Sequence, residues 1–266
     1  MNSFEKNTFQ KRLGSMLKVD FRRMLRSRVF YILIACALVM PVLMTVMMSM
    51  MDGSISTNPQ TGEETVMHGP ENTWQNLGTL PGGEAMGGND VFMMCNINMM
   101  FMAVAVFVCL FISDDFRSGY AKNLFTVRAK KGDYVISKTV AGFVCGAWML
   151  IAYFVGSVLG GAVSGLSFDL YGLNVGNLVM CMIAKILLML VFVSIFVLIS
   201  VSAKQKAWLS ICGSLGGGIL LFMTVSMITP LSSTAVNVLL CAAGGLTFAF
   251  GLGVISNAIL KRTSLV

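Results

Sequence analysis

The chain has 266 residues, of which 56% are hydrophobic and only 12% charged, with a formal net charge of +7. Ordinary soluble domains carry roughly 25% charged residues, so a water-soluble fold is excluded. The basic residues lie between apolar runs rather than on one continuous surface, which argues against a nucleic-acid partner.

Apolar runs longer than about 18 residues are long enough to cross a bilayer as helices. Six occur, at about 29–51, 91–113, 139–163, 178–202, 207–229 and 236–260. The expected fold is all-α: a polytopic membrane protein with six transmembrane helices at 29–266, preceded by a cytoplasmic segment at 1–28. Residues 1–28 hold eight Lys and Arg, 113–138 hold six, and Lys204, Lys206, Lys261 and Arg262 follow at later span ends. The 52–90 loop holds none and six acids. With six spans, all basic segments fall on one side, so the positive-inside rule places both termini in the cytoplasm. Lys185 alone departs from it.

In the N-terminal segment Leu13, Leu17, Phe21, Met24 and Leu25 recur at helical spacing, with Arg12, Lys18, Arg22, Arg23 and Arg26 between them. This pattern predicts an amphipathic helix in the membrane interface, its basic face toward anionic lipid. A charge signal for topology alone would need no apolar stripe.

The first span contains Pro41, followed by Met44, Met47, Met48 and Met51 on one helical face. The second span opens with Met93, Met94, Met99, Met100 and Met102. Both groups fall in the outer half of the membrane and could meet. Thioethers suit Cu(I), a pliable Met wall suits varied apolar cargo, and plain packing requires neither. The 52–90 loop has Gly, Pro, Asn and Trp74 but no period, and a short helix is expected around Glu71–Leu77. Its lone His68 is no metal site. All seven cysteines lie in predicted spans and read as small buried side chains.

Gly142-x-x-x-Gly146, Gly156-x-x-x-Gly160 and Gly213-x-x-x-Gly217 permit close helix packing. Asn96, Asn98 and Lys185 are the intramembrane polar residues that cost most to bury. Lys185 could snorkel to the outer surface or pair structurally; a cargo path through Met44, Met48, Asn96, Asn98 and Lys185 is the other expectation.

No catalytic constellation can be assembled. The chain has one His and lacks the G-x-x-x-x-G-K-[ST] phosphate loop. The spans are almost free of acids, which disfavours a proton-coupled carrier. A motor supplied by another chain is the expectation.

The polar stretch from Ser113 to Lys138 carries the most specific pattern. It reads Asp114-Asp115, Gly119-x-x-Lys122-Asn123-Leu124, then Arg128, then Tyr134-x-x-Ser137-Lys138. This resembles the cytoplasmic loop between the second and third spans of ABC type-2 permeases. Where many members of that family have a Pro and a Ser-Arg pair, this chain has Val127-Arg128-Ala129-Lys130. The resemblance implies a permease subunit of a bacterial cytoplasmic-membrane exporter, paired with a second permease chain and two separate ABC ATPase subunits. ATP and Mg would be bound by the ATPases, with no cofactor on this chain. Residues 114–125 would form a coupling helix, with Asp115, Phe116, Arg117, Gly119, Tyr120, Lys122, Asn123 and Leu124 as contact residues. Phe116, Tyr120 and Leu124 would plug an apolar groove, and Arg117 and Lys122 would set register at its rim. Compact permeases of this kind often export peptides or antibiotics. The alternative is a six-span receptor or scaffold that uses the same loop without transport.

Overall fold

The structure is a computed structural model and describes residues 3–57, 64–66, 69–78, 96–127, 131–170 and 172–262. It is helical almost throughout. In chain order the helices are α1 (Ser3–Arg26), α2 (Arg28–Met50), α3 (Met99–Arg117), α4 (Tyr120–Val127), α5 (Lys131–Ser164), α6 (Val175–Ala203), α7 (Ala207–Ile228) and α8 (Ala235–Arg262). Between α2 and α3 lie a short antiparallel pair, β1 (Ile55–Thr57) with β2 (Glu64–Val66), and a 3₁₀ turn (Thr73–Asn76). Arg128 and His68 fall outside the described residues.

Five helices, α2, α3, α5, α6 and α8, are long and apolar enough to cross a membrane. The sixth expected span corresponds to α7, helical over 22 residues but with a shorter described apolar run, Ala207–Phe222. The outer surface of the bundle is apolar, with Tyr31, Leu43, Leu220, Leu239 and Phe250 exposed. A hydrocarbon solvent favours that surface, and intrahelical bonding keeps the backbone satisfied in it.

Glycine spacing decides how the bundle closes. A Cβ on Gly156 would strike the Leu38 carbonyl, and one on Gly160 would lie 3.0 Å from the Val42 Cα. α5 therefore packs against α2 backbone to backbone, around Pro41. Earlier on α5, Gly142 and Gly146 face Val193 and Met189 of α6. The centre is filled by Phe101, Phe107, Tyr153, Phe192 and Phe196, all buried.

Three expected boundaries are corrected. Asn96 and Asn98 lie in the turn before α3, with Asn98 as its N-cap, instead of within a span. α3 runs on to Arg117, and α5 already begins at Lys131. Residues 114–125 are not one helix. Gly119, at φ +74°, takes up the left-handed conformation that ends α3, and α4 starts anew at Tyr120. Phe116, Tyr120 and Leu124 therefore do not form one continuous helical stripe.

The two ends of the bundle differ in chemistry. At one end Arg12 meets Asp133, and Lys131 donates to the Leu260 carbonyl near the end of α8. At the other, Asn76 donates to Thr45, Asn72 to the Asp169 carbonyl, and Asn177 to the Ser233 carbonyl. The basic segments gather at the first end. The short 3₁₀ turn, near the helix expected around Glu71–Leu77, seats Trp74 at the second. The Trp74 ring stacks on Phe154, packs edge-on to Phe168 and donates to its carbonyl.

Candidate coupling site at the basic end

The site is built where α1, α3, α4 and α5 converge. One face of α1 packs inward through Met16, Asp20 and Met24, four residues apart and all buried. Asp20 on that face meets α5. Ser137 donates to its Oδ2 at 2.6 Å, and the Lys138 Nζ lies 2.7 Å from its Oδ1. The same ammonium lies 2.7 Å from Asp115 Oδ2, near the end of α3. Tyr134, one turn earlier on α5, donates to that oxygen at 3.0 Å. Arg23 of α1 closes the group, with Nη2 2.6 Å from Asp115 Oδ1.

Two acids and two bases thus cancel within one buried cluster. Aromatic faces line it: Lys138 sits 4.0 Å from the centre of Phe111, and Arg23 sits 4.5 Å from that of Tyr120. Burial alone would lower the Arg23 pKa, but Asp115 and then Asp20 outweigh it, and the net displacement is upward. For Tyr120, burial is the largest influence, Asp20 adds to it, and the hydroxyl is shifted upward. The guanidinium stays charged and the phenol neutral at ordinary pH.

The proposed contact residues divide into two groups. Asp115 and Phe116 are buried, Phe116 against Tyr134. Tyr120 and Leu124 are half-buried, and Phe125 packs edge-on to Tyr134. Arg117, Lys122 and Asn123 are exposed, along with Asp114 and Ser118. A cleft of about 470 Å³ opens there between Arg23, Asp114, Arg117 and Ser118. The outward face is therefore polar and basic, while the aromatic residues expected to plug a partner's groove largely pack into this chain. Arg23, expected to face lipid, turns inward instead. Asp20 was missed, although it is the one acid between Lys6 and Arg28.

A family model described as "ABC-2 family transporter protein" matches residues 16–226. The chain belongs to the ABC-2 transporter family. That family is the membrane component of ABC transporters and is generally not catalytic. No curated protein and no solved structure matches the chain. The match begins within α1 and takes in the whole ionic cluster, so the part of α1 from residue 16 onward lies inside the matched region.

The cargo-path candidates and the methionines near them differ in burial. Met47 on α2 and Met51 at its C-cap are exposed and Met44 and Met48 half-buried, whereas Met100 and Met102 are buried in the core. Met93 and Met94 lie outside the described residues. Among the described residues no group of three His, Cys, Asp or Glu could hold a metal. The described cysteines are free. Cys36 and Cys212 are exposed rather than buried. Asn98 and Lys185 do come together: the Lys185 Nζ donates to Asn98 Oδ1 at 2.8 Å. Instead of snorkelling outward, Lys185 is fully buried.

Proposed function

We propose that this chain is the permease subunit of an ATP-driven exporter, with six spans and both termini in the cytoplasm. The basic end of the bundle faces the cytoplasm, and α1 lies along the membrane interface. Two such chains, identical or homologous, form the pathway, and two separate ATPases drive it. Its cargo is a peptide, an antibiotic or another amphipathic molecule.

The observation that carries this reading is the ionic cluster within a chain of the ABC-2 family. Asp115 and Lys138 join the α3–α4 turn to α1 and α5. A push on that turn would reach two candidate membrane helices directly, with little play. The contact with the ATPase would run through Arg117, Ser118, Lys122 and Asn123. Asp115, Phe116, Tyr120 and Leu124 would hold that surface rigid from behind.

Detergent-solubilised protein recovered from its own membrane should bring down a phosphate-loop ATPase in stoichiometric amount. The double variant Arg117→Glu/Lys122→Glu should lose it while keeping the wild-type melting profile. Full retention would overturn the coupling face, and absence of any ATPase from folded wild-type protein would overturn the transporter reading.

A further inference from the structure

Two lysines are fully buried among the described residues, and their surroundings differ. Lys138 lies between Asp20 and Asp115, 2.7 Å from each. Lys185 has no carboxylate partner among the described residues. Its ammonium donates to Asn98 Oδ1 at 2.8 Å and to Thr229 Oγ1 at 3.0 Å. An ammonium carries three donors, and the third has no acceptor among the described residues.

A buried charge without a countercharge is costly. The last carbonyls of α7, where Thr229 is the C-cap, supply only part of the compensation, equivalent to about half an elementary charge. The neighbouring groups are ones that can turn donors toward an anion. Asn98 Nδ2 donates to Ser226 Oγ at 2.9 Å, and the Ser226 hydroxyl proton can rotate about its C–O bond. Thr229 Oγ1 donates to the Val225 carbonyl at 2.8 Å and can turn that proton to an anion by giving up this bond within α7. An ammonium, an amide NH₂ and two hydroxyls converge from three helices: α6, the start of α3 and the end of α7.

We propose that Lys185, Asn98, Ser226 and Thr229 form a binding site for an anionic group, a carboxylate or a phosphate monoester, carried by an amphipathic cargo. Lys138 shows how this chain compensates a buried lysine with carboxylates of its own. At Lys185 the arriving ligand supplies the missing charge. In the closed arrangement Lys185, Asn98 and Thr229 are buried, with Ser226 exposed at the edge of the site, and Asn98 and Thr229 stand in as neutral acceptors. An anion enters as the start of α3 and the end of α7 separate from α6, so cargo binding favours the open form. This assignment of cargo class rests on the transport reading above.

The test uses the full-length permease alone, in dodecyl maltoside, so it does not depend on recovering an ATPase. Binding of radiolabelled dodecyl phosphate is measured in competition with laurate, dodecanol, dodecyltrimethylammonium and inorganic phosphate. Laurate should compete and dodecyltrimethylammonium should not, with dodecanol at least about tenfold weaker than laurate, as expected for one charge-assisted hydrogen bond. Competition by inorganic phosphate would locate recognition in the anion itself, and its failure would add the alkyl chain; both outcomes fit an anion site. Lys185→Gln should abolish the preference and Lys185→Arg should keep it. Asn98→Asp, which builds a carboxylate beside Lys185, should also abolish it while leaving the fold intact. Equal binding of charged and neutral amphiphiles would overturn the proposal, as would a preference that survives both Lys185→Gln and Asn98→Asp.

Discussion

Lys138 of α5 and Asp115 of α3 meet at 2.7 Å, and neither side chain is exposed to solvent. Lys138 also holds Asp20 of α1, so one ammonium joins three helices. Removing one member of a buried ion cluster strands the rest. Lys138→Met should lower stability by roughly 3–5 kcal/mol, read as a fall in the denaturation midpoint in detergent. Adding Asp20→Asn to Lys138→Met should recover part of the loss, because it removes a stranded carboxylate. If the double variant is less stable still, the charge-balance account is wrong.

Phe116 and Arg117 are sequence neighbours with opposite duties. Phe116 packs under Tyr134, so Phe116→Ala should cost about 3–5 kcal/mol, as for other buried aromatic truncations. Arg117 is exposed, and Arg117→Ala should stay within about 0.5 kcal/mol of wild type. Only the second should weaken ATPase retention without moving the melting curve.

Gly156 and Gly217 belong to similar small-residue motifs but face different constraints. The Leu38 backbone leaves no room for a Cβ at Gly156, whereas at Gly217 the nearest atom, on Ile199, lies at 3.5 Å. Gly156→Ala should therefore destabilise by about 1–3 kcal/mol through overpacking. Gly217→Ala should be neutral or slightly stabilising, since alanine is the better helix former. Thermal midpoints of the two purified variants decide this.

Trp74 anchors the segment between α2 and α3 by stacking on Phe154. Trp74→Ala should leave the spans folded but increase cleavage of intact cells by an external protease within residues 52–78. A membrane-impermeant maleimide should label Ser54→Cys from outside and reach Thr126→Cys only after permeabilisation. Labelling in the reverse order would invert the proposed orientation.

The helical architecture is legible in the sequence because hydropathy is a property of each segment alone. The glycine motifs were legible for the same reason: spacing of three intervening residues fixes a common helix face. Pairing of polar residues is a different kind of information. Asp20 and Lys138 are 118 positions apart, and nothing local in α1 shows that Asp20 lies on its buried face. Arg23 looked like a lipid-facing cation because it falls among the basic residues between the apolar positions of α1, yet Asp115 draws it inward. Lys185 looked able to reach water because distance along one helix was all that could be measured. Its acceptors, Asn98 and Thr229, are supplied by two other helices. Within the loop motif, Phe116 turns inward and Arg117 outward at the end of α3, and Gly119 then breaks the helix before Tyr120, a division that no one-dimensional stripe predicts.

The cancellation of charge around Lys138 also separates two kinds of contact by their response to salt. At molar ionic strength the screening length falls to about 3 Å, so attachments made through exposed Arg117 and Lys122 fade. The cluster holding α1 is shielded by Phe111, Tyr120 and Tyr134 and has no net charge for ions to screen. A concentrated salt wash would therefore strip a docked motor from the membrane while leaving the N-terminal helix welded to its spans.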